Sequence, residues 1–189
     1  MNCRCELSNV AKAYLNKFYC ILNTMIDEMT EVQLSDSISY NFIVQMIPHH
    51  RAAIEMSENL LQYTTCIPLQ NIALQIIEEQ TKSIENMQEI LCYCSELIND
   101  ISAVESYQCK GNNIMNTMFC GMESAPSTNR INANFMQEMI PHHEGAIALS
   151  HNALCYDICP GLIPILEEII TSQERGVQQM EQLLRSIRY

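Results

Sequence analysis

Apolar residues recur along this chain in alternating steps of four and three, the mark of helices that each bury one stripe. The first stretch predicts a helix from about Ser8 to Val32, with Val10, Tyr14, Phe18, Ile21, Met25, Met29 and Val32 on its apolar side. A second helix is expected to start near Ser35-Asp36, where a side-chain oxygen can cap free amides. Its seam is Phe42, Met46, His49, Ala53, Met56 and Leu60. A third is expected from about Pro68, a residue suited to a first helical turn. Its seam is Ala73, Ile77, Gln80, Ile84, Met87 and Leu91. Loops are expected at Cys66-Ile67-Pro68, from Gly121 to Arg130 and from Asp157 to Pro164.

The pattern then repeats. Ile47-Pro48-His49-His50 returns as Ile140-Pro141-His142-His143, and this offset of 93 residues holds without gaps over most of the chain. It pairs Asn41-Phe42 with Asn134-Phe135, Ala53-Ile54 with Ala146-Ile147, and Asn23-Thr24-Met25 with Asn116-Thr117-Met118. It also pairs Gln80 with Gln173 and Met87 with Met180. The chain therefore reads as two copies of one unit, residues 1–98 and 99–189, which together make one all-α bundle. Two long helices per unit close naturally into a four-helix bundle. The Met-rich segments around Met25 and Met118 would pack across or extend it.

Composition narrows the classes of function. Hydrophobic residues make up 48%, enough for a core, while five Gly and six Pro leave little room for the turns of a β fold. A net charge of −12 repels phosphate, so nucleic acid is not an expected partner. The first residues show no basic segment followed by an apolar one, and no run of 18 apolar residues occurs. These features predict a cytoplasmic chain that does not insert into membranes. Its ten cysteines are then expected to be mostly reduced.

The candidate chemistry sits at the repeated Pro-His-His. Four of five histidines form the two pairs His49-His50 and His142-His143. Met46 lies three residues before His49 and four before His50, spacings that share a helix face, and Met139 stands likewise before the second pair. Adjacent histidines, repeated, with methionine one turn away, point to a metal site over plain packing. Pro48 and Pro141 fall inside the helical pattern and are expected to kink it beside the histidines. Di-iron bundles use Glu-x-x-His; this chain has Met-x-x-His instead, twice. Thioether sulfur favours a soft ion, Cu(I) above all. Met25 with Met29, Met118 with Met122, and Met56 extend the candidate set. Gln80 and Gln173 interrupt apolar seams, which predicts that each hydrogen-bonds a histidine nitrogen and orients the ring, with Met87 and Met180 behind them. Cys3-Arg4-Cys5 and Cys92-Tyr93-Cys94 are weaker candidates for Cu(I) thiolate pairs. No phosphate loop or nucleophile elbow is present.

The core Met-Ile-Pro-His-His-x-x-Ala-Ile, followed by Gln and, seven residues on, Met, resembles the CopM-like family of ferritin-like domains, the domain of unknown function three hundred and five. The second copy, Met139 to Ala146, fits most closely; the first has Arg51-Ala52 where the family favours Gly. The resemblance implies a ferritin-like four-helix bundle and, for some members, copper binding through Met and His. The family's Glu three residues after the Gln is Ser83 here and Gly176 in the second copy, and Leu149 stands where the first copy has Met56. Many relatives are exported, whereas no export signal is visible here. The leading expectation is sequestration, buffering or delivery of copper without catalysis, delivery implying a copper-handling partner protein. The alternatives are a ferritin-like metal-dependent oxidoreductase and a helical scaffold whose histidines only pack.

Overall fold

The computed structural model describes residues 6–186, and among them it holds six helices and no strand. They are α1 (Asn9–Glu31), α2 (Ile38–Leu61), α3 (Ile67–Cys94), α4 (Ile101–Glu123), α5 (Ile131–Ala153) and α6 (Ile163–Ser186). None is long and apolar enough to cross a membrane.

The helix ends follow from local chemistry. Ser8 caps α1 by accepting the Ala11 amide at 3.1 Å, as its position predicts. The cap of α2 is Ser37, not the Ser35-Asp36 pair. Asn41 explains the shift: its amide donates to the Ser35 carbonyl and its oxygen accepts the Ser35 N–H, both at 2.8 Å, folding that segment back as a loop. Asn134 does the same with the Thr128 carbonyl at 2.8 Å. Pro68 and Pro164 are the second residues of α3 and α6, so these helices begin inside the segments expected to be loops, and α4 likewise continues past Gly121 to Glu123. Both α2 and α5 run unbroken through Pro48 and Pro141.

Helices α2, α3, α5 and α6 form the central bundle: α2 packs on α3 and α5, and α6 packs on α5 and α3. From outside, α1 lies on α2 and α4 lies on α5. The Met-rich helices therefore flank the bundle, bringing Met25, Met29, Met118 and Met122 into the core. Val10 is the exception on the α1 stripe and lies exposed. The same contacts recur 93 residues apart: Asn59 donates to the Tyr14 carbonyl at 3.2 Å, and Asn152 to the Tyr107 carbonyl at 3.1 Å.

One disulfide stands beside the expectation of mostly reduced thiols. Cys94, at the end of α3, is joined to Cys159 in the α5–α6 connection, with Cα atoms 5.2 Å apart and both residues buried. This removes Cys92-Tyr93-Cys94 as a thiolate pair, since only Cys92 remains free and it is exposed. Cys3-Arg4-Cys5 lies outside the described residues. The other described cysteines are free thiols. Sequence could not show this pairing, because its partners stand 65 residues apart and the repeat does not contain Cys94 twice. A cross-link closing a loop of that size typically adds ~2–4 kcal/mol. Rapid thiol blocking followed by peptide mass spectrometry is expected to recover Cys94 linked to Cys159 and the remaining described thiols blocked. A blocked Cys94 would contradict it.

Candidate metal centre

Both histidine pairs are buried, none of the four rings being more than 2% exposed. The contact between α2 and α5 brings His49 and His142 face to face, with centroids 3.6 Å apart and planes 28° from parallel. Each ring reaches across to the other's main chain: His49 Nε2 lies 3.2 Å from the His142 carbonyl, and His142 Nε2 lies 3.1 Å from that of His49. A carbonyl only accepts, so each Nε2 carries the proton and donates. Each Nδ1 is therefore a bare lone pair, and both are buried without a partner. A neutral imidazole held by its far N–H, with its other nitrogen free, is the form that binds a metal.

The second histidine of each pair turns towards α3 or α6. His50 Nε2 lies 3.1 Å from the Ser83 hydroxyl. His143 lies against Gly176, where an added Cβ would stand 2.8 Å from His143 Cδ2 and 3.0 Å from Nε2. The His143 ring thus occupies the room a side chain there would need. Positions 83 and 176 are those where the family resemblance implies Glu. They face the second histidine of each pair, and this chain offers a hydroxyl at one and no side chain at the other. The Nδ1 atoms of His50 and His143 are also buried without partners.

The role expected for Gln80 and Gln173 is not the one they play. His49 and His142 donate to the two carbonyls and His50 bonds the Ser83 hydroxyl, while Gln80 Oε1 and both amide atoms of Gln173 are buried and unpartnered. Spacing alone placed the glutamines on the right seam. It could not show that main-chain carbonyls of the opposite unit lie closer.

The described methionines are all in the core: Met46 and Met139 on the histidine helices, Met56 further along α2, and Met87 and Met180 on α3 and α6. Met25 lines a narrow groove with Pro48 and Ala52, and the Met118 thioether fills the space a side chain on Gly145 would need. Among the described residues, no three or more His, Cys, Asp or Glu side chains are grouped to hold a metal ion.

Burial sets the protonation of this cluster. It lowers His50 to about 3 and His142 to about 4, with His142 adding to the effect at His50. Burial also takes His49 and His143 well below the usual histidine range. All four rings are thus neutral at pH 7 and available as ligands. Neutral nitrogen and sulfur suit a monovalent ion best, because the cost of burying an ion grows with the square of its charge and no carboxylate stands at the rings to offset it.

Sequence reading overlooked a buried acid. Glu138, one turn before His142, accepts a hydrogen bond from the Tyr14 hydroxyl at 2.6 Å. Burial pushes its carboxyl up to about 7, although the Tyr14 bond pulls the other way. The first unit has Gln45 at the equivalent position, donating to the Met29 carbonyl at 3.1 Å. A signal was available: Asn134, Glu138, Gly145 and Asn152 share the face of α5 turned to α1 and α4.

No functionally curated protein matches the chain. Two solved structures share its fold. CopM in the Ag-bound form, obtained by soaking, is 25% identical with a TM-score of 0.58 over 82% of this chain and 98% of that one. A DUF305 fragment from Deinococcus radiodurans is 21% identical with a TM-score of 0.59 over 79% of this chain and 96% of its own. The profile of a domain of unknown function, DUF305, matches residues 22–91 and 39–184. The chain belongs to the DUF305 family.

Proposed function

We propose that the protein binds a soft monovalent cation, Cu(I) in the cell, through histidine Nδ1 atoms and methionine sulfur, and so sequesters, buffers or delivers copper. The observation that carries this reading is the stacked pair His49 and His142, whose bare, buried Nδ1 atoms have no partner in the protein. An orphaned buried acceptor costs roughly 1–3 kcal/mol, a penalty that a bound ion would remove. That a relative, CopM, has been obtained with silver bound supports the same class of ion. The missing carboxylates at Ser83 and Gly176 favour storage or transfer over di-iron-type redox turnover. Residues Met46, Met139, Met25, Met29, Met118, Met122 and Met56 are the candidate sulfur donors.

The selectivity is testable by changing the donors. In a background with Cys3, Cys5 and Cys92 replaced by Ser, leaving the Cys94 disulfide intact, Met46→Glu with Met139→Glu is expected to weaken Cu(I) binding by at least about tenfold and to improve Zn(II) or Fe(II) binding. Competition titration against a Cu(I) chelator reads the first effect and calorimetry the second. Unchanged Cu(I) affinity would remove these methionines from the site.

A further inference from the structure

We propose that the polar cavity between α3 and α6 is the route by which the cation reaches the histidine cluster; this rests on the copper-binding reading above. The cavity is about 450 Å³ and opens to solvent, and at its inner end it reaches His50 and Ser83. The clefts beside the methionines do not lead to a histidine. The one by Met118 is about 380 Å³ and bordered by Pro141 and Gly145. The one by Met25 is only about 40 Å³, where Arg51 pairs with Glu28 at 3.0 Å.

Two features of the cavity suit a hydrated cation. The first is its inner wall. Gln80 and Gln173, 4% and 2% exposed, line it from α3 and α6, and Gln80 Oε1 and both amide atoms of Gln173 have no protein partner. Neutral amides that both donate and accept can exchange the waters of an incoming ion one by one without trapping it. A polar space of this size holds water readily, so the path is wet. The second feature is charge. Glu79, Glu167 and Glu168 stand around the cavity with only Arg175 to balance them. Low-dielectric walls focus such a field and raise the local concentration of cations while repelling anions.

The opening also has a strap. Arg175 on α6 reaches Glu79 on α3 at 2.7 Å, spanning the space between the two helices. Their side chains are 47% and 32% exposed, so water competes for the pair and the strap opens easily.

The test separates route from ligand by measuring rates and affinity together, with Ag(I) as the probe. Ser172→Phe puts bulk into the cavity, and Arg175→Ala removes the strap. Stopped-flow uptake and chelator-driven release are read alongside equilibrium competition. Ser172→Phe is expected to slow uptake and release by a similar factor, about tenfold, with affinity within about threefold of wild type. Arg175→Ala is expected to speed both. Wild-type rates in both variants, with helical circular dichroism intact, would overturn the route. So would a loss of affinity in Ser172→Phe through faster release alone, since the cavity would then be the binding site itself. If Ser172→Phe does not fold, Arg175→Ala decides. Uptake that survives replacement of all four paired histidines would instead overturn the copper-site reading, and no uptake by the wild type would overturn both.

Discussion

Replacing His49 and His142 together by phenylalanine is expected to weaken Ag(I) or Cu(I) binding by about a thousandfold, or ~4 kcal/mol, without lowering thermal stability. The two rings are stacked at 3.6 Å and fully buried, so an aromatic ring of similar size keeps the packing. What is lost is the pair of Nε2–H bonds to the opposite carbonyls, each worth about 1 kcal/mol net. Those carbonyls lie inside α2 and α5 and keep their helical donors. What is gained is relief from two buried Nδ1 atoms without partners, a penalty of comparable or larger size. The two functional classes therefore part clearly. A site for metal loses affinity and keeps or gains stability. A pair of histidines that only pack would show the same stability and leave ion binding as it was. Competition titration distinguishes them, and thermal melts on the same variant check the fold.

Acid is expected to unfold the metal-free protein steeply, with stability rising as pH increases and levelling off above about pH 7.5. The four paired histidines have folded values lowered below 6.5, so the unfolded chain takes up protons that the folded one refuses. Their contribution is complete above pH 6.5 and is lost as pH falls towards the folded values, about 4 for His142 and 3 for His50. Glu138 acts in the opposite sense. Its folded value, raised to about 7, stabilises fully below pH 4.5 and loses that contribution as pH rises to 7. Near pH 5.5 the balance is close to three protons in favour of the unfolded state, or roughly 4 kcal/mol per pH unit. A domain stable by ~5–15 kcal/mol would then unfold within a few pH units of neutrality. Denaturant titrations from pH 4.5 to 8 measure the slope. Glu138→Gln should steepen it by about one proton, or ~1.4 kcal/mol per pH unit, and a flat profile would show that the histidines are solvated.

Several parts of this structure were legible in advance. Ser8 and Val32 bracket α1 because a capping hydroxyl and the end of an apolar stripe are local signals. The continuity of α2 and α5 through Pro48 and Pro141 was legible because their seams do not break there. The start of α2 was missed by one or two residues, since Ser35, Asp36 and Ser37 are chemically similar caps and only the Asn41 side chain decides among them. Glu138 escaped notice because a single acid on a mixed helix looks solvated until Tyr14 from another helix covers it.

Periodicity alone predicts the helices, and the recurring Pro-His-His marks the paired histidines as the chemistry to explain, because these are properties of neighbours along the chain. The partner of each polar atom is decided by residues far apart in sequence. His49 and His142 are 93 residues apart and orient one another through carbonyls that any residue would supply. No side-chain identity encodes such a bond. The same holds for the meeting of His50 with Ser83, the room left by Gly176 for His143, and the cross-link of Cys94 to Cys159. Each depends on how helices cross, and only tertiary packing, which must place every buried ring and polar atom at once, decides that.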